Sequence, residues 1–326
     1  NAASTVGSIP DSSVTCSDEG EWTINVPKIG STTTPPETFA VNAADIEPES
    51  FVRDYNHAKK INQETGLETT YSSETGFGFK VPEINRTVSL SEIGDQEIDI
   101  RNFIDNYALA KQKKEQYGDK GLSIEYNNGW KFSIETDNDK KTFSVNAVSA
   151  ANLGYDTTKK DFYFGNIPTG KGDETTKVYL SDMHEKDGKL YIVGSDGKET
   201  KTGYTGIDQF VNAWQAGYGD AKDLNNLSGG QDASFYFNGT SFIVYDGRNN
   251  HKVNEEYIGT YQLRMAITEE YAAQGMTIPL SYNFNSGGHW RIQDGDNPAR
   301  WIDTIYRREI SQQGLTARDF VAMQAY

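Results

Sequence analysis

The sequence predicts an α+β fold made of tandem strand–helix–β-hairpin units, arranged as two similar halves with a β insert between them. Three observations predict it: an apolar helical stripe that recurs along the chain, Asn-Gly turns between alternating segments, and a high aromatic content. The 326 residues include 15 Phe, 19 Tyr and 5 Trp. Because acidic disordered chains are poor in aromatic residues, we expect a folded protein whose cores are rich in rings.

The helical stripe consists of an aromatic anchor followed four positions later by a second large apolar residue. That spacing places both side chains on one face of a helix. The anchors are Phe51, Phe103, Phe210 and Tyr261. The first two and the last two anchors are each about 50 residues apart, and the middle interval is about twice as long, which predicts an inserted segment. Gly66 and Gly121 follow the first two helices and suit a left-handed helix end.

Each predicted helix is followed by two segments in which apolar and polar residues alternate, as they do in strands. Asn127–Gly129 and Asn238–Gly239 lie between such segments, and Asn-Gly between alternating strands is a strong hairpin signal. A short apolar segment usually precedes the helix, as at Phe39–Val41 and Thr87–Leu90. We therefore expect each unit to contain a leading strand, a helix and a hairpin.

The predicted domain organisation has four parts. They are an extended Ser/Thr/Pro-rich arm at residues 1–40, a first pair of units at 41–157, a β insert at 158–205, and a second pair with a terminal half unit at 206–326. Hairpins are expected in the insert at Lys186–Gly188 and Asp196–Gly197, because these residues favour turns. The arm is either a flexible leader or a segment that pairs with a neighbouring subunit.

The charge and the cysteine content exclude several functions. Lys and Arg number 31 against 47 Asp and Glu, which gives a net charge of −16. Binding to nucleic acids or to anionic membranes needs a basic surface, so we expect neither partner. The sequence contains no apolar run of about 18 residues, so no membrane insertion is expected. The single cysteine, Cys16, excludes an internal disulfide and a multi-cysteine zinc site.

Candidate metal ligands are confined to acidic turns. Asp137, Asp139, Asp294 and Asp296 carry oxygen atoms that suit Ca²⁺, but none completes an EF-hand loop, and such residues also favour turns. The four histidines lack the spacing of a zinc site, and no nucleophile, phosphate or dinucleotide motif is present. We therefore expect no catalytic residue, no cofactor and no enzyme activity. A spatial pair of carboxylates acting on polysaccharide is the enzymatic alternative that remains open.

Apolar residues at both ends of the chain are expected at interfaces with other copies of the chain or with other subunits. Large apolar side chains in an arm are costly to leave in water. A helix is predicted at Trp301–Leu315, and it has no hairpin of its own to cover it. The predicted interface residues are Trp22, Ile24, Val26, Trp301, Ile305 and Tyr306.

The second unit resembles a known repeat. It contains Ile100–Asn106, then Gly121–Ile134 with its Asn-Asn-Gly turn, and then Ala150–Tyr155. This pattern is similar to the insertion repeat of flagellins and of flagellar cap and hook-associated proteins, and it covers residues 87–156 best. Those proteins also carry long coiled-coil helices at both ends, whereas this chain shows no sustained heptad at either end. The resemblance therefore implies either an outer-domain fragment of such a protein or an unrelated surface or virion protein that uses the same unit.

These observations together predict a non-enzymatic structural subunit or decoration protein of an extracellular assembly, such as a flagellum-like filament or a phage virion. Its partners would be other copies of itself or other subunits. The alternative is an adhesin or receptor-binding module that recognises a glycan or a protein on a cell surface. Outward-facing tyrosines would serve that alternative, and the candidates are Tyr126, Tyr236, Tyr245 and Tyr282.

Overall fold

The computed structural model of the protein describes residues 5, 7–136, 139–226, 233–245 and 250–253, and it gives the backbone of three further strands at 282–284, 290–293 and 301–303. Five helices and many short strands alternate in these residues, which confirms the predicted α+β class. Among the described helices, none is long and apolar enough to cross a membrane.

The described helices are α1 (Pro48–Thr65), α2 (Leu90–Ile93), α3 (Glu97–Tyr117), α4 (Ala147–Asn152) and α5 (Ile207–Asn226). The strands are β1 (Ser13–Cys16), β2 (Trp22–Pro27), β3 (Thr38–Asn42), β4 (Glu68–Ser72), β5 (Gly76–Val81), β6 (Arg86–Ser89), β7 (Leu122–Tyr126), β8 (Trp130–Thr136), β9 (Asp139–Ser144), β10 (Leu153–Asp156), β11 (Asp161–Pro168), β12 (Thr175–Tyr179), β13 (Met183–Lys186), β14 (Lys189–Val193), β15 (Glu199–Lys201), β16 (Ser234–Phe237), β17 (Phe242–Tyr245), β18 (Asn250–Lys252), β19 (Tyr282–Phe284), β20 (Trp290–Gln293) and β21 (Trp301–Asp303).

The described strands form seven three-stranded sheets, and each sheet contains three consecutive strands in chain order. We call them meanders 1 to 7, so that meander 1 is β1–β3 and meander 7 is β19–β21. Neighbouring strands run antiparallel in meanders 1, 2, 4, 5, 6 and 7. The predicted turn in the β insert is present, because Asp187 and Gly188 both take positive φ angles between β13 and β14.

The predicted helix and hairpin occur together three times, as α1 with meander 2, α3 with meander 3, and α5 with meander 6. The structure corrects the leading strands. Phe39 pairs with Val26 of the preceding strand, and Val88 pairs with Phe79. The two predicted leading strands are therefore the third strands of the preceding meanders. Sequence position alone does not show whether such a strand pairs with the hairpin before it or belongs to the unit of the helix after it, because it lies between the two in either case.

The described residues fall into two compact units, Asn1–Glu115 with Ile124–Lys131, and Gln116–Ser123 with Phe132–Tyr326. Two boundaries predicted from the sequence lie elsewhere. The boundary at 40/41 falls inside β3, and the boundary at 157/158 falls in the turn between the paired strands β10 and β11. The first boundary divides the third strand of meander 1, and the second separates the first two strands of meander 4.

Helix α1 shows why these helices begin and end where they do. The Glu47 carboxylate accepts hydrogen bonds from the backbone nitrogens of Glu49 and Ser50, at 3.3 and 2.6 Å, and so caps the first turn. Gly66 ends the helix in the left-handed conformation with φ 72°. The residues of the predicted stripe, Phe51, Tyr55 and Ala58, are all buried, as is Ile61.

Aromatic rings fill the core between helix and meander. In the first unit the Trp130 ring lies 5.4 Å from Phe103 and 5.1 Å from Tyr107, and its Nε1 donates a 3.0 Å hydrogen bond to the Phe103 carbonyl. In the second unit the Phe242 ring lies 4.8 Å from Phe210 and 5.8 Å from Trp214. Helices α3 and α5 thus each use the aromatic anchor and the residue four positions later to cover a meander.

In the second unit, a polar face of α5 forms hydrogen bonds with the residues around the start of α4. Asp208 accepts a 2.7 Å hydrogen bond from the Ser144 backbone nitrogen, and Asn212 accepts one from the Asn146 side chain at 3.3 Å. Gln215 accepts a 3.0 Å hydrogen bond from the Val148 backbone nitrogen. These three helix residues follow a helical spacing of four and three, so one face of α5 satisfies the backbone around α4.

The predicted interface residues differ in their exposure to solvent. Ile24 and Val26 are 1% and 0% exposed within meander 1, so they are unavailable to another subunit, whereas Trp22 is 54% exposed. Trp301 lies in β21, next to the Ile302–Ile292 pair, which corrects the predicted start of a helix there. A short apolar segment fits both periods, and the strand period applies here. Ile305 and Tyr306 lie outside the described residues.

The buried hydroxyl of Tyr204 is expected to contribute to the stability of the second unit. This hydroxyl donates to the Val253 carbonyl at 3.0 Å and accepts from the Phe242 nitrogen at 2.7 Å. Tyr204→Phe leaves both groups unsatisfied, so we expect a loss of about 1–3 kcal/mol in the free energy of unfolding, measured by urea denaturation. The control is Tyr218→Phe, since Tyr218 is 53% exposed. Equal urea midpoints for the two variants would contradict the role of Tyr204.

Candidate functional site

A cleft of about 550 Å³ lies in the first unit, at one end of meander 2. Its walls come from the end of α1 with the residues that follow it, from all three strands of meander 2, and from Tyr107 and Lys111 on α3. The lining combines cations, carboxylates and an amide over a small apolar surface. This composition suits a ligand-binding cleft that orients its ligand by polar contacts.

One row of cross-strand pairs forms the sheet side of the cleft. Glu68 on β4 pairs with Lys80 on β5, and Lys80 pairs with Thr87 on β6. All three are exposed, and the Lys80 amine lies 2.5 Å from the Glu68 carboxylate. Val81, the next residue on β5, alternates to the opposite side and is 1% exposed.

The turn after β5 is fixed by α3. The 3-10 turn Pro82–Ile84 ends on Asn85, which takes a left-handed φ of 50°. The Tyr107 hydroxyl donates a 2.8 Å hydrogen bond to the Glu83 carboxylate, and the Lys111 amine lies 3.6 Å from the same carboxylate. Burial and the Glu83 hydrogen bond raise the pKa of Tyr107 far above its usual value, so this phenol remains a hydrogen-bond donor.

The far side of the cleft is held by Arg86. Its guanidinium donates to the Glu92 carboxylate at 2.7 Å and to the Tyr126 carbonyl at 3.1 Å. Burial raises the pKa of Glu92, but the hydrogen bonds from Ser89 and Arg86 outweigh it and lower that pKa below its usual value. Glu92 therefore stays anionic and keeps Arg86 in place.

A second candidate surface lies on the outer face of meander 4, in the second unit. Tyr163 and Tyr179 form a cross-strand pair with ring centroids 5.6 Å apart. The Lys177 amine lies 4.3 Å from the Tyr163 ring centroid, and the Lys159 amine lies 3.6 Å from that of Tyr179. The Tyr179 hydroxyl donates to Asp156 at 2.9 Å. We call these five residues the tyrosine face.

The tyrosine face depends on a glycine in β10. Gly154 pairs with Tyr163, and a Cβ atom at position 154 would lie 2.6 Å from Cζ of the Tyr163 ring. The ring therefore lies directly on the glycine backbone, and a larger residue at position 154 would force it to move. Sequence reasoning overlooked Tyr163 and Tyr179 as surface residues, although each alternates with buried neighbours in its strand, which was the available signal.

One of the four metal candidates, Asp139, lies in the described residues. Asp139 is exposed at the start of β9, and its carboxylate lies 3.6 Å from the Lys141 amine. Asp137, Asp294 and Asp296 lie outside the described residues. Within the described ranges, no group of three or more His, Cys, Asp or Glu side chains is placed to hold a metal ion.

The tyrosines that the sequence suggested as outward-facing are mostly covered. Tyr126 is 8% exposed, so it is a core residue and not one of the outward-facing tyrosines that the alternative function would use. Its ring lies in the core, 5.3 Å from Phe103 and 5.2 Å from Trp130. Tyr236 and Tyr245 are half-buried, and the side chain of Tyr282 is outside the described residues.

Comparisons with known proteins leave the functional assignment to the geometry. No protein-family model matches the chain, and neither the curated proteins nor the solved structures contain a match. The resemblance to flagellar insertion repeats is therefore a prediction from the sequence alone.

The fit between Gly154 and Tyr163 gives a prediction for the tyrosine face. Gly154→Ala forces the ring away from the strand, and we expect a loss of about 1–3 kcal/mol in the free energy of unfolding, because overpacking strains its surroundings. The same substitution in a Tyr163→Ser background should cost much less. A double-mutant cycle by urea denaturation measures the difference. Equal costs in both backgrounds would show that the ring is not the cause.

Proposed function

We propose that this protein is a structural subunit or decoration protein of an extracellular assembly, such as a flagellum-like filament or a phage virion. The observation that supports this proposal best is the succession of small meanders, each made of consecutive strands. Tandem units that bury their cores against nearby elements suit extended scaffolds, because further units can be added without changing the existing ones.

Meander 1 offers a contact surface for such an assembly. Strand β1 is an edge of its sheet, and Thr15 and Cys16 on it are exposed. Cys16 pairs with Trp22, which is one of two large hydrophobic side chains that are exposed in the described residues. Edge strands pair readily with other chains, and exposed Trp side chains often contribute strongly to interfaces. This keeps Trp22 as the predicted interface residue.

The charge of the chain suits an extracellular surface. A net charge of −16 keeps subunits soluble and repels anionic cell envelopes, so assembly depends on specific contacts. The resemblance to flagellar insertion repeats points to the same location. Other copies of the chain, or other subunits of the assembly, are the partners that this proposal requires.

Assembly can be tested on the full chain by multi-angle light scattering over a range of concentrations. We expect particles larger than a monomer, and Trp22→Ser should weaken association about tenfold or more, as loss of a central aromatic contact does. Tyr218→Ser is the matched control, because Tyr218 is the other exposed large ring. A monomer at every concentration, or equal effects of both substitutions, would contradict the proposal.

The second candidate function is recognition of a glycan or protein on a cell surface, and the tyrosine face favours it. Its two adjacent rings, two amines and one carboxylate lie on a single sheet face. Tyr, Lys and Asp side chains of this kind supply both apolar contact and hydrogen bonds. Binding to whole cells that Tyr179→Ala abolishes, by a chain that remains monomeric, would favour this function over assembly.

A further inference from the structure

We infer that the cleft at the end of meander 2 binds a neutral saccharide of about two or three sugar rings. The inference does not depend on the proposed structural role, because assembly into a larger particle neither requires nor prevents saccharide binding in this cleft. It rests on the adjacent donors and acceptors of the cleft, on the carboxylate partner of each cation that lines it, and on the ordering of these groups before a ligand binds.

The polar groups of the cleft occur as adjacent donors and acceptors. The Lys80 amine lies 2.5 Å from the Glu68 carboxylate, and the Lys111 amine lies 3.6 Å from the Glu83 carboxylate. A sugar hydroxyl both donates and accepts a hydrogen bond. Neighbouring hydroxyls on a sugar ring can therefore accept from an amine and donate to the carboxylate beside it. A ligand with only acceptors would leave the carboxylates unmatched.

Each of the three cations that line the cleft already has a carboxylate partner. Lys80, Arg86 and Lys111 are paired with Glu68, Glu92 and Glu83. An anionic ligand would have to displace these carboxylates, and a cationic ligand would have to displace the amines. Since either displacement gives up an existing charge-assisted contact, the arrangement favours a neutral ligand.

The polar groups of the cleft are held in place before a ligand enters. Beside them, the exposed Pro82 offers an apolar ring that suits the C–H face of a sugar ring, whereas Leu67 and Val81 are 4% and 1% exposed and belong to the core. The Tyr107 hydroxyl and the Lys114 amine hold the side chain and the carbonyl of Glu83, at 2.8 and 2.5 Å. A site that is ordered before binding loses less entropy when the ligand enters.

The experiment uses the full chain labelled with ¹⁵N and a panel of neutral trisaccharides, namely cellotriose, maltotriose and triacetylchitotriose. At about 10 mM ligand, well above the range of weak sugar binding, at least one of them should shift the backbone amide signals of Gly66, Asn85 and Thr87. A trisaccharide of glucuronic acid is the charged comparison. The fitted dissociation constant for the neutral sugar should change less than about twofold between low and high salt.

Two variants connect the shifts to the cleft. Lys80→Met with Lys111→Met removes two donors and should weaken binding about tenfold or more. Lys59→Met is the matched control, because Lys59 is an exposed lysine on α1 that does not line the cleft. Unchanged amide spectra away from the cleft show that the variants are folded.

Three results would overturn the inference. One is that no neutral trisaccharide shifts the cleft amides, and another is that only the glucuronic acid trisaccharide does so. The third is that the double variant and the Lys59→Met control bind equally well. None of these results bears on light scattering, so failure here is distinguishable from failure of the assembly proposal.

Discussion

A three-stranded sheet has too little area to bury a core alone. The fold therefore depends on what covers the apolar face of each sheet. In three of the seven described meanders a helix supplies the cover through an aromatic anchor. The Phe51 ring lies 5.5 Å from Phe77, Phe103 lies 5.4 Å from Trp130, and Phe210 lies 4.8 Å from Phe242. Each contact joins the first turns of a helix to the middle strand of its meander. Rings suit this task because one side chain spans much of a narrow sheet. The high aromatic content of an otherwise polar chain therefore follows from the small size of its sheets.

The same geometry creates the cleft. A helix that covers one face of a meander leaves the other face in water, and the alternation along β5 places Lys80 on the wet side and Val81 on the covered side. The turn that begins at Pro82 extends beyond the sheet, and α3 holds it through the Tyr107 contact with Glu83. The result is a group of exposed polar side chains beside this turn. Leu67, Val81 and Tyr107 also line the cleft but are buried in the core, so the exposed polar side chains are the ones that a ligand can reach.

The sequence was sufficient for the parts of the fold that depend on local patterns. The stripes at Phe51 and Phe103 predicted buried helix faces, and the Asp187–Gly188 pair predicted a hairpin, because periodicity and turn chemistry are local properties. The sequence was insufficient where the fold depends on which strands pair with each other. The strand at Phe39–Val41 was assigned to the wrong neighbour, since a strand carries no signal for its partner. The cleft was not predicted, because Glu68, Glu83 and Lys111 belong to three elements that only the tertiary structure brings together.

The carboxylates of the cleft bear on the enzymatic alternative. Hydrolysis of a glycosidic bond requires one carboxylic acid that stays protonated near neutral pH, so its pKa must be raised. In this cleft Glu68 and Glu83 each lie within 3.6 Å of an amine, and the Tyr107 hydroxyl donates to Glu83. Both carboxylates are thus held as hydrogen-bond acceptors beside donors. Neighbouring hydroxyls of a sugar ring can match that arrangement, since each hydroxyl both donates and accepts.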